Sequence, residues 1–155
     1  MGRSPRPEPS VLLGQYPQRL DEKNRLTVPA KFRPRFAAGI VVTRGLDGCL
    51  WAFTLEGWEA FQREQVDRLD GFSREARQMQ RFFFSAAHEA TPDKQGRVAL
   101  PSSLMEHATL DREVVVTGIG EHLEIWNRDA WARVVSESQG SVEDVAERFA
   151  REPKG

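Results

Sequence analysis

Residues Asp21-Glu22-Lys23-Asn24-Arg25-Leu26-Thr27-Val28-Pro29-Ala30 have a similar counterpart 72 residues later, Asp93-Lys94-Gln95-Gly96-Arg97-Val98-Ala99-Leu100-Pro101-Ser102, and this duplication indicates the fold. The match continues downstream, where Val41-Val42-Thr43 recurs as Val115-Val116-Thr117. Two copies are too few for a solenoid of stacked repeats. The duplication therefore predicts two similar half-domains that pack against each other as a pseudo-dimer within one chain.

The length of the chain, 155 residues, allows one domain or two very small ones. Each repeat spans about 70 residues, a size at which a core is only marginally stable on its own, so the repeats are expected to share one core. No apolar run approaches the roughly 18 residues of a membrane-spanning helix. Residues 1–10 hold three prolines, two arginines and no apolar stretch, so we expect no secretory signal and a disordered arm over residues 1–12.

The start of each repeat predicts two strands joined by a tight turn. In the first repeat the strands are Gln15–Leu20 and Arg25–Val28, and polar and apolar residues alternate along the second of them. Asn24 and Gly96 occupy the same place in the two turns, and these residue types tolerate a positive φ best. A proline then ends each strand and suits the first turn of a helix.

The rest of each repeat predicts a short helix, two further strands with a glycine-marked turn between them, and a helical pair. The short helices are placed at 30–36 and 102–108, the strands at 40–44, 50–53, 113–117 and 123–126, and the turns at 45–48 and 118–120. Ser73, Asn127 and Ser141 are expected to cap the later helices. The predicted fold class is α+β, with one half at 13–84, the other at 85–150 and a tail at 151–155.

The net charge of −1 hides a strong local asymmetry. Residues 15–45 carry seven basic and two acidic side chains, a net charge of +5. Such a basic patch can attract a polyanion even when the whole chain is nearly neutral, although a merely solvated face is the alternative.

The pattern Asp-x-x-x-Arg occurs at the same place in both repeats, as Asp21 with Arg25 and as Asp93 with Arg97. Across a tight turn the aspartate can accept hydrogen bonds from backbone amides or hold the arginine in place. A single copy would carry little information, but the recurrence with the same turn and the same following proline favours a recognition role. The alternative is a surface salt bridge worth about 0–1 kcal/mol.

Catalytic interpretations find little support in the sequence. Three histidines and one cysteine, Cys49, are scattered without the spacing of metal ligands, and no nucleophile or phosphate-binding motif is present. We therefore expect no enzyme activity, metal or cofactor, and a reduced thiol at Cys49, whose counterpart in the second repeat is His122. The run Arg81-Phe82-Phe83-Phe84 is expected to fill the core, with at least one ring at the repeat junction or a subunit interface.

Several of these stretches together resemble the MraZ family of bacterial transcriptional regulators. They are residues 20–33 (Leu-Asp-Glu-Lys-Asn-Arg-Leu-Thr-Val-Pro-Ala-Lys-Phe-Arg), 43–50 (Thr-Arg-Gly-Leu-Asp-Gly-Cys-Leu), 81–85, 93–97 and Glu124-Ile125-Trp126. The resemblance covers roughly residues 13–136 and implies two AbrB-like, swapped-hairpin β-units in one chain. It also implies a ring of subunits that binds repeated DNA boxes upstream of the division and cell-wall genes, including its own promoter.

The family's Asp-x-x-x-Arg motifs imply that Asp21, Arg25, Asp93 and Arg97 recognise DNA. Three nearby lysines are expected to contact phosphates: Lys23, Lys31 and Lys94. The second repeat is less basic, since residues 98–108 contain no Lys or Arg, and an equal contribution of the two repeats is not expected.

The sequence is thus interpreted as a cytoplasmic, nucleoid-associated, oligomeric regulator whose partners are double-stranded DNA and further copies of itself, with no membrane and no small-molecule substrate. Phosphate contacts would come from lysines and base readout from arginines. Two rivals remain open. One is an antitoxin-like regulator of the same fold, and the other is a structural assembly or enzyme module that does not bind DNA.

Overall fold

The computed structural model describes residues 11–152. Residues 1–10, which make up most of the expected N-terminal arm, and residues 153–155 lie outside this range. Within residues 11–152, no helix is long and apolar enough to cross a membrane.

The two repeats contain the same order of elements. The first consists of β1 (Leu12–Arg19), β2 (Arg25–Thr27), a 3-10 turn (Ala30–Phe32), α1 (Arg33–Phe36), β3 (Ile40–Arg44), β4 (Leu50–Thr54), α2 (Leu55–Phe61), a π-helical turn (Gln62–Val66) and α3 (Arg74–Phe84). The second consists of β5 (His88–Ala90), β6 (Arg97–Ala99), α4 (Ser102–His107), β7 (Glu113–Gly120), β8 (Leu123–Asn127), α5 (Arg128–Gln139) and α6 (Val142–Arg151). The predicted α+β class with two tandem copies is confirmed.

The repeats exchange strands instead of each closing a sheet of its own. The main sheet has the order β1-β7-β8-β4-β3-β5, and every neighbouring pair is antiparallel. The first strand of each repeat, β1 or β5, therefore pairs with the third strand of the other repeat, β7 or β3. The second strands form a separate two-stranded ribbon, β2-β6. The strand order is unchanged when each strand is replaced by its counterpart in the other repeat. The molecule therefore has a pseudo-two-fold axis between β4 and β8.

One shared core lies between the inner face of the main sheet, the ribbon and the short helices. Both repeats contribute fully buried side chains to it, among them Phe36, Ile40, Leu104 and Ile125. Helices α2, α3 and α5 pack against the outer face, where Trp51 stacks on Phe83 with ring centroids 5.5 Å apart. Because neither repeat could bury these surfaces alone, the expectation of a common core is confirmed.

The three adjacent phenylalanines separate into different environments. Phe83 is buried under Trp51, whereas Phe84 packs edge-on against Trp58 at 5.7 Å. Phe82 lies under the guanidinium of Arg44 and also contacts His107 of the second repeat at 5.8 Å. The predicted core role is therefore correct, and one ring does reach the repeat junction.

The β1–β7 pair is longer than the sequence pattern predicts. β1 begins at Leu12, and residues 118–120, expected to form a turn, instead continue β7 with Leu12 opposite Gly120. Gly118 makes this possible, because a Cβ atom there would lie 2.6 Å from the backbone of Leu12. The turn moves to residues 121–122.

The prediction that Ser141 caps α6 is correct in position, but its side chain makes no capping hydrogen bond. Ser141 occupies the N-cap position, but its hydroxyl accepts no helix amide and donates instead to the Ser138 carbonyl at 3.4 Å. Ser73 and Asn127 do accept amide hydrogen bonds as predicted, from Ala76 for the serine and from the first turn of α5 for the asparagine.

Candidate nucleic-acid interface

The first Asp-x-x-x-Arg turn is closed by its aspartate. Asp21 Oδ1 accepts the backbone amides of Lys23 and Arg25, each at 2.9 Å. Its backbone carbonyl accepts the amide of Asn24 at 2.9 Å, and Asn24 adopts the expected positive φ of 57°. Asp21 Oδ2 accepts Nε of Arg25 at 2.6 Å, so one carboxylate both closes the turn and fixes the arginine.

The second turn reproduces this geometry. Asp93 Oδ1 accepts the amides of Gln95 and Arg97 at 2.9 Å each, and Oδ2 accepts Arg97 Nε at 2.8 Å. Gly96 has a φ of 79°, in agreement with the prediction. The two copies of the sequence motif therefore adopt the same structure.

Both carboxylates are stabilised in the ionised form. The hydrogen bond from the Arg25 amide, followed by that from its guanidinium, lowers the pKa of Asp21 below its ordinary value of 3.8, while desolvation acts in the opposite direction. The same groups of Arg97 lower the pKa of Asp93. Each aspartate is thus charged at neutral pH and attracts its arginine.

The β2-β6 ribbon brings the two arginines onto one face. Arg25 lies opposite Ala99, and Arg97 lies opposite Thr27. The middle residue of each strand is only 2% exposed and packs into the core: Leu26 and Val98. Side chains alternate along a strand, so the arginines project from the other face, on diagonally related positions about 7–8 Å apart. About a third of each arginine side chain is exposed, 28% for Arg25 and 31% for Arg97.

The three predicted lysines lie on elements next to this ribbon, and all three are exposed to solvent. Lys23 and Lys94 are exposed within the two turns, and Lys31 is exposed on the 3-10 turn that follows β2. Their charges lie on the elements that directly flank the arginines. The structure therefore groups all seven predicted residues around one ribbon.

Two further arginines, Arg33 and Arg112, contact the turn of the other repeat. The sequence did not predict these contacts. Arg112 of the second repeat donates to the Asp21 carbonyl at 2.9 Å. Arg33 of the first repeat donates from Nε to the Val28 carbonyl at 2.9 Å, and a Cβ atom on Gly96 would lie 2.7 Å from the same nitrogen. The Arg112–Asp21 bond and the close approach of Arg33 to Gly96 join the two repeats, so no local pattern marks them.

The remaining titratable candidates lie away from the ribbon. The Cys49 thiol is fully buried, and burial raises its pKa, followed by the effect of the Glu124 carboxylate at 3.7 Å. His122 lies between Trp51 and Phe53, with ring centroids at 4.6 and 4.9 Å, and burial lowers its pKa to about 4. Among residues 11–152, no three His, Cys, Asp or Glu residues are grouped closely enough to hold a metal ion.

Comparison with known proteins agrees with this duplicated architecture. The family model described as MraZ protein, a description that also calls the family antitoxin-like, matches the chain twice, over residues 11–82 and 83–152. The chain is 42% identical to the transcriptional regulator MraZ of Ligilactobacillus salivarius and 41% identical to that of Heliobacterium modesticaldum. It is 40% identical to the MraZ regulator of Limosilactobacillus fermentum, and each alignment covers 90% of this chain and 96% of the relative. The chain belongs to the MraZ family.

Proposed function

We propose that this protein is a transcriptional regulator that binds double-stranded DNA sequence-specifically through the outer face of the β2-β6 ribbon. One observation carries the proposal: Arg25 and Arg97 project side by side from one face, and each is oriented by its own aspartate. The names of the relatives, all transcriptional regulators, support the regulatory part.

The geometry of each Asp–Arg pair suits the reading of a base. The aspartate bonds to Nε alone, so neither terminal amino group of the guanidinium is used in the ion pair. A guanidinium presents parallel N–H groups that match O6 and N7 of guanine, and a side chain already held in place loses less entropy on binding. A two-stranded ribbon also has the dimensions to enter the major groove.

The lysines would supply the sequence-independent part of the affinity. Lys23, Lys31 and Lys94 are exposed next to the ribbon and can contact phosphates on either side of the groove. Such contacts release counterions, so binding should weaken steeply as salt rises.

The finer architecture that we propose follows from the strand exchange. The pairing of β1 with β7 and of β5 with β3 supports two AbrB-like, swapped-hairpin units, divided at 13–84 and 85–150. We further propose that the chain assembles into a ring-like homo-oligomer in the cytoplasm, associated with the nucleoid. Several ribbons in one assembly would bind repeated boxes through a high effective concentration.

The proposed target is DNA upstream of the division and cell-wall gene cluster, including the protein's own promoter. An electrophoretic shift with the DNA upstream of its own gene tests this directly. Retarded complexes should form at protein concentrations at which a shuffled DNA of equal length stays free. If both DNAs shift equally, sequence-specific recognition is refuted.

The antitoxin-like alternative predicts a different partner, a toxin protein bound by a segment that folds on binding. The family description gives it some support. A complex with a protein that is encoded next to this chain, formed without DNA, would favour it over the proposal. A non-DNA assembly module would self-associate but shift neither DNA.

A further inference from the structure

The outer face of the β2-β6 ribbon carries two short side chains besides the arginines. The middle residue of each strand is buried in the core, so Thr27 and Ala99 project from the same face as the two arginines. Ala99 is exposed and Thr27 is half-buried. Within residues 11–152, no hydrogen bond engages the Thr27 hydroxyl. The face that carries the arginines therefore also presents a methyl group and a hydroxyl group that the fold does not use.

The register of the ribbon places each short side chain directly beside one arginine. Thr27 pairs with Arg97, and Ala99 pairs with Arg25. Backbone hydrogen bonds join the two flanking pairs: Val28 with Gly96 at 2.8 Å and Leu100 with Asn24 at 3.1 Å. Hydrogen-bonded and non-hydrogen-bonded pairs alternate in an antiparallel ribbon, so both arginine-containing pairs are of the non-hydrogen-bonded kind. Side chains lie closest in such pairs, with Cβ atoms about 4.5–5.5 Å apart.

Both arginines lie close against the protein. Each is bonded through Nε to the aspartate of its own turn, and only 28% of the Arg25 side chain and 31% of the Arg97 side chain are exposed. The ribbon can therefore approach base edges closely enough for side chains as short as threonine and alanine to touch them. Consecutive bases are about 3.4 Å apart along a duplex, so a side chain about 5 Å from an arginine meets the neighbouring base pair.

Strand stability does not explain the alanine at position 99. Exposed strand positions favour β-branched and aromatic side chains, and alanine is depleted there. A methyl group at this position leaves room for another apolar group beside Arg25. In the major groove the one such group on a base edge is the 5-methyl of thymine, which alanine and threonine methyl groups contact.

We propose that Thr27 and Ala99 determine specificity, each by contacting the base pair next to the one that its neighbouring arginine contacts. The Ala99 methyl group packs against the 5-methyl of a thymine beside the Arg25 contact. The Thr27 hydroxyl hydrogen-bonds to a base edge beside the Arg97 contact. This inference rests on the proposed function and adds two residues to its reading surface. Because the two side chains differ, the two repeats prefer different neighbouring bases although their arginines are alike.

Selection from a library of random-sequence duplex DNA tests both assignments. Thr27→Val removes the hydroxyl at constant size, and Ala99→Gly removes the methyl group. Each variant should select the same guanines as the wild type but lose the base preference at one neighbouring position, and the two positions should differ. Thr27→Val should also bind the DNA selected by the wild type about 2- to 12-fold more weakly. Ser136→Ala, which removes a hydroxyl from exposed helix α5, is the control and should select the wild-type sequence.

Deoxyuridine isolates the methyl contact in the wild-type chain. It replaces the single thymine that Ala99→Gly no longer selects and lacks only the 5-methyl, so wild-type affinity should fall about 4-fold. Ala99→Gly should bind the thymidine and deoxyuridine forms equally. Variants that select the same bases as the wild type, or a wild type that is indifferent to deoxyuridine at every thymine of its selected DNA, would overturn these roles. A wild type that selects no sequence at all would overturn the proposed function itself.

Discussion

Replacement of Arg25 separates the roles of shape, charge and fold at the ribbon. We expect Arg25→Ala to lose one bidentate base contact, which is worth about 1–3 kcal/mol, or about 5- to 150-fold in specific affinity. Arg25→Lys keeps the charge but loses the planar pair of donors. It should therefore reduce specific binding almost as much while leaving the affinity for shuffled DNA nearly unchanged.

The fold should survive both substitutions. The Arg25–Asp21 ion pair is open to solvent, with 28% and 34% of the two side chains exposed, so its contribution to stability is small. The amides of Lys23 and residue 25 still bond to Asp21 in either variant. A loss of this size shifts the melting temperature by about 2–4 °C at most.

Fluorescence anisotropy measures the affinity of each variant for DNA with a single box and for shuffled DNA. Both measurements are made at the same salt concentration. Arg97→Ala provides the matched variant in the second repeat. Specific affinities within two-fold of the wild type for both alanine variants would refute the assignment of the ribbon as the reading surface. Equal losses on specific and shuffled DNA would show that the arginines contribute charge alone.

Four further outcomes follow from the structure. Lys31→Glu should weaken binding to all DNA sequences, measured by anisotropy, whereas Arg133→Glu on exposed helix α5 should change it far less; equal losses would refute the proposed basic patch. Gly96→Ala should lower the free energy of unfolding more than Gly48→Ala does, by about 1 kcal/mol or more, as measured by urea titration. Both glycines have a positive φ, but only at position 96 would the added Cβ atom collide with a side chain, that of Arg33. The pKa of Asp21 is lowered in the fold, so the stabilisation that its carboxylate provides is present above pH 3.8 and is lost as the pH falls below that value. Asp21→Asn should therefore make the free energy of unfolding less dependent on pH, measured by urea titrations between about pH 5 and pH 2. A run of several DNA boxes should bind far more tightly than one box, with a steep salt dependence, and equal affinities would contradict the multivalent mechanism.

The parts of the fold that are set by local chemistry could be predicted from the sequence. The two turns were identified because an aspartate, a residue that tolerates positive φ and a following proline recur together, and both turns adopt the expected geometry. The resemblance to the family, and not local chemistry, adds the three lysines, which the structure places on elements beside the same ribbon. Their role in DNA binding stays a prediction, because geometry alone does not show a partner.

The parts that depend on the strand exchange could not be predicted from periodicity. The bond from Arg112 to the Asp21 carbonyl and the packing of Arg33 against Gly96 exist only because the repeats interleave. The extension of β7 through Gly118 reflects a close backbone approach by β1 that no pattern within β7 reveals. The bonds from Thr43 and Arg44 to the last turn of α3 likewise join residues 40 and 38 positions apart, and helical periodicity does not reveal them.

Hydrogen exchange of the full chain, with and without the DNA upstream of its own gene, shows which segments this DNA protects. We expect this DNA to slow exchange in the two turns and the ribbon, residues 20–28 and 92–100, and shuffled DNA of equal length to slow it less. Helix α5 should exchange at the same rate in all three samples. Slower exchange that is confined to other segments, or equal protection by both DNAs, would contradict sequence-specific recognition by the ribbon.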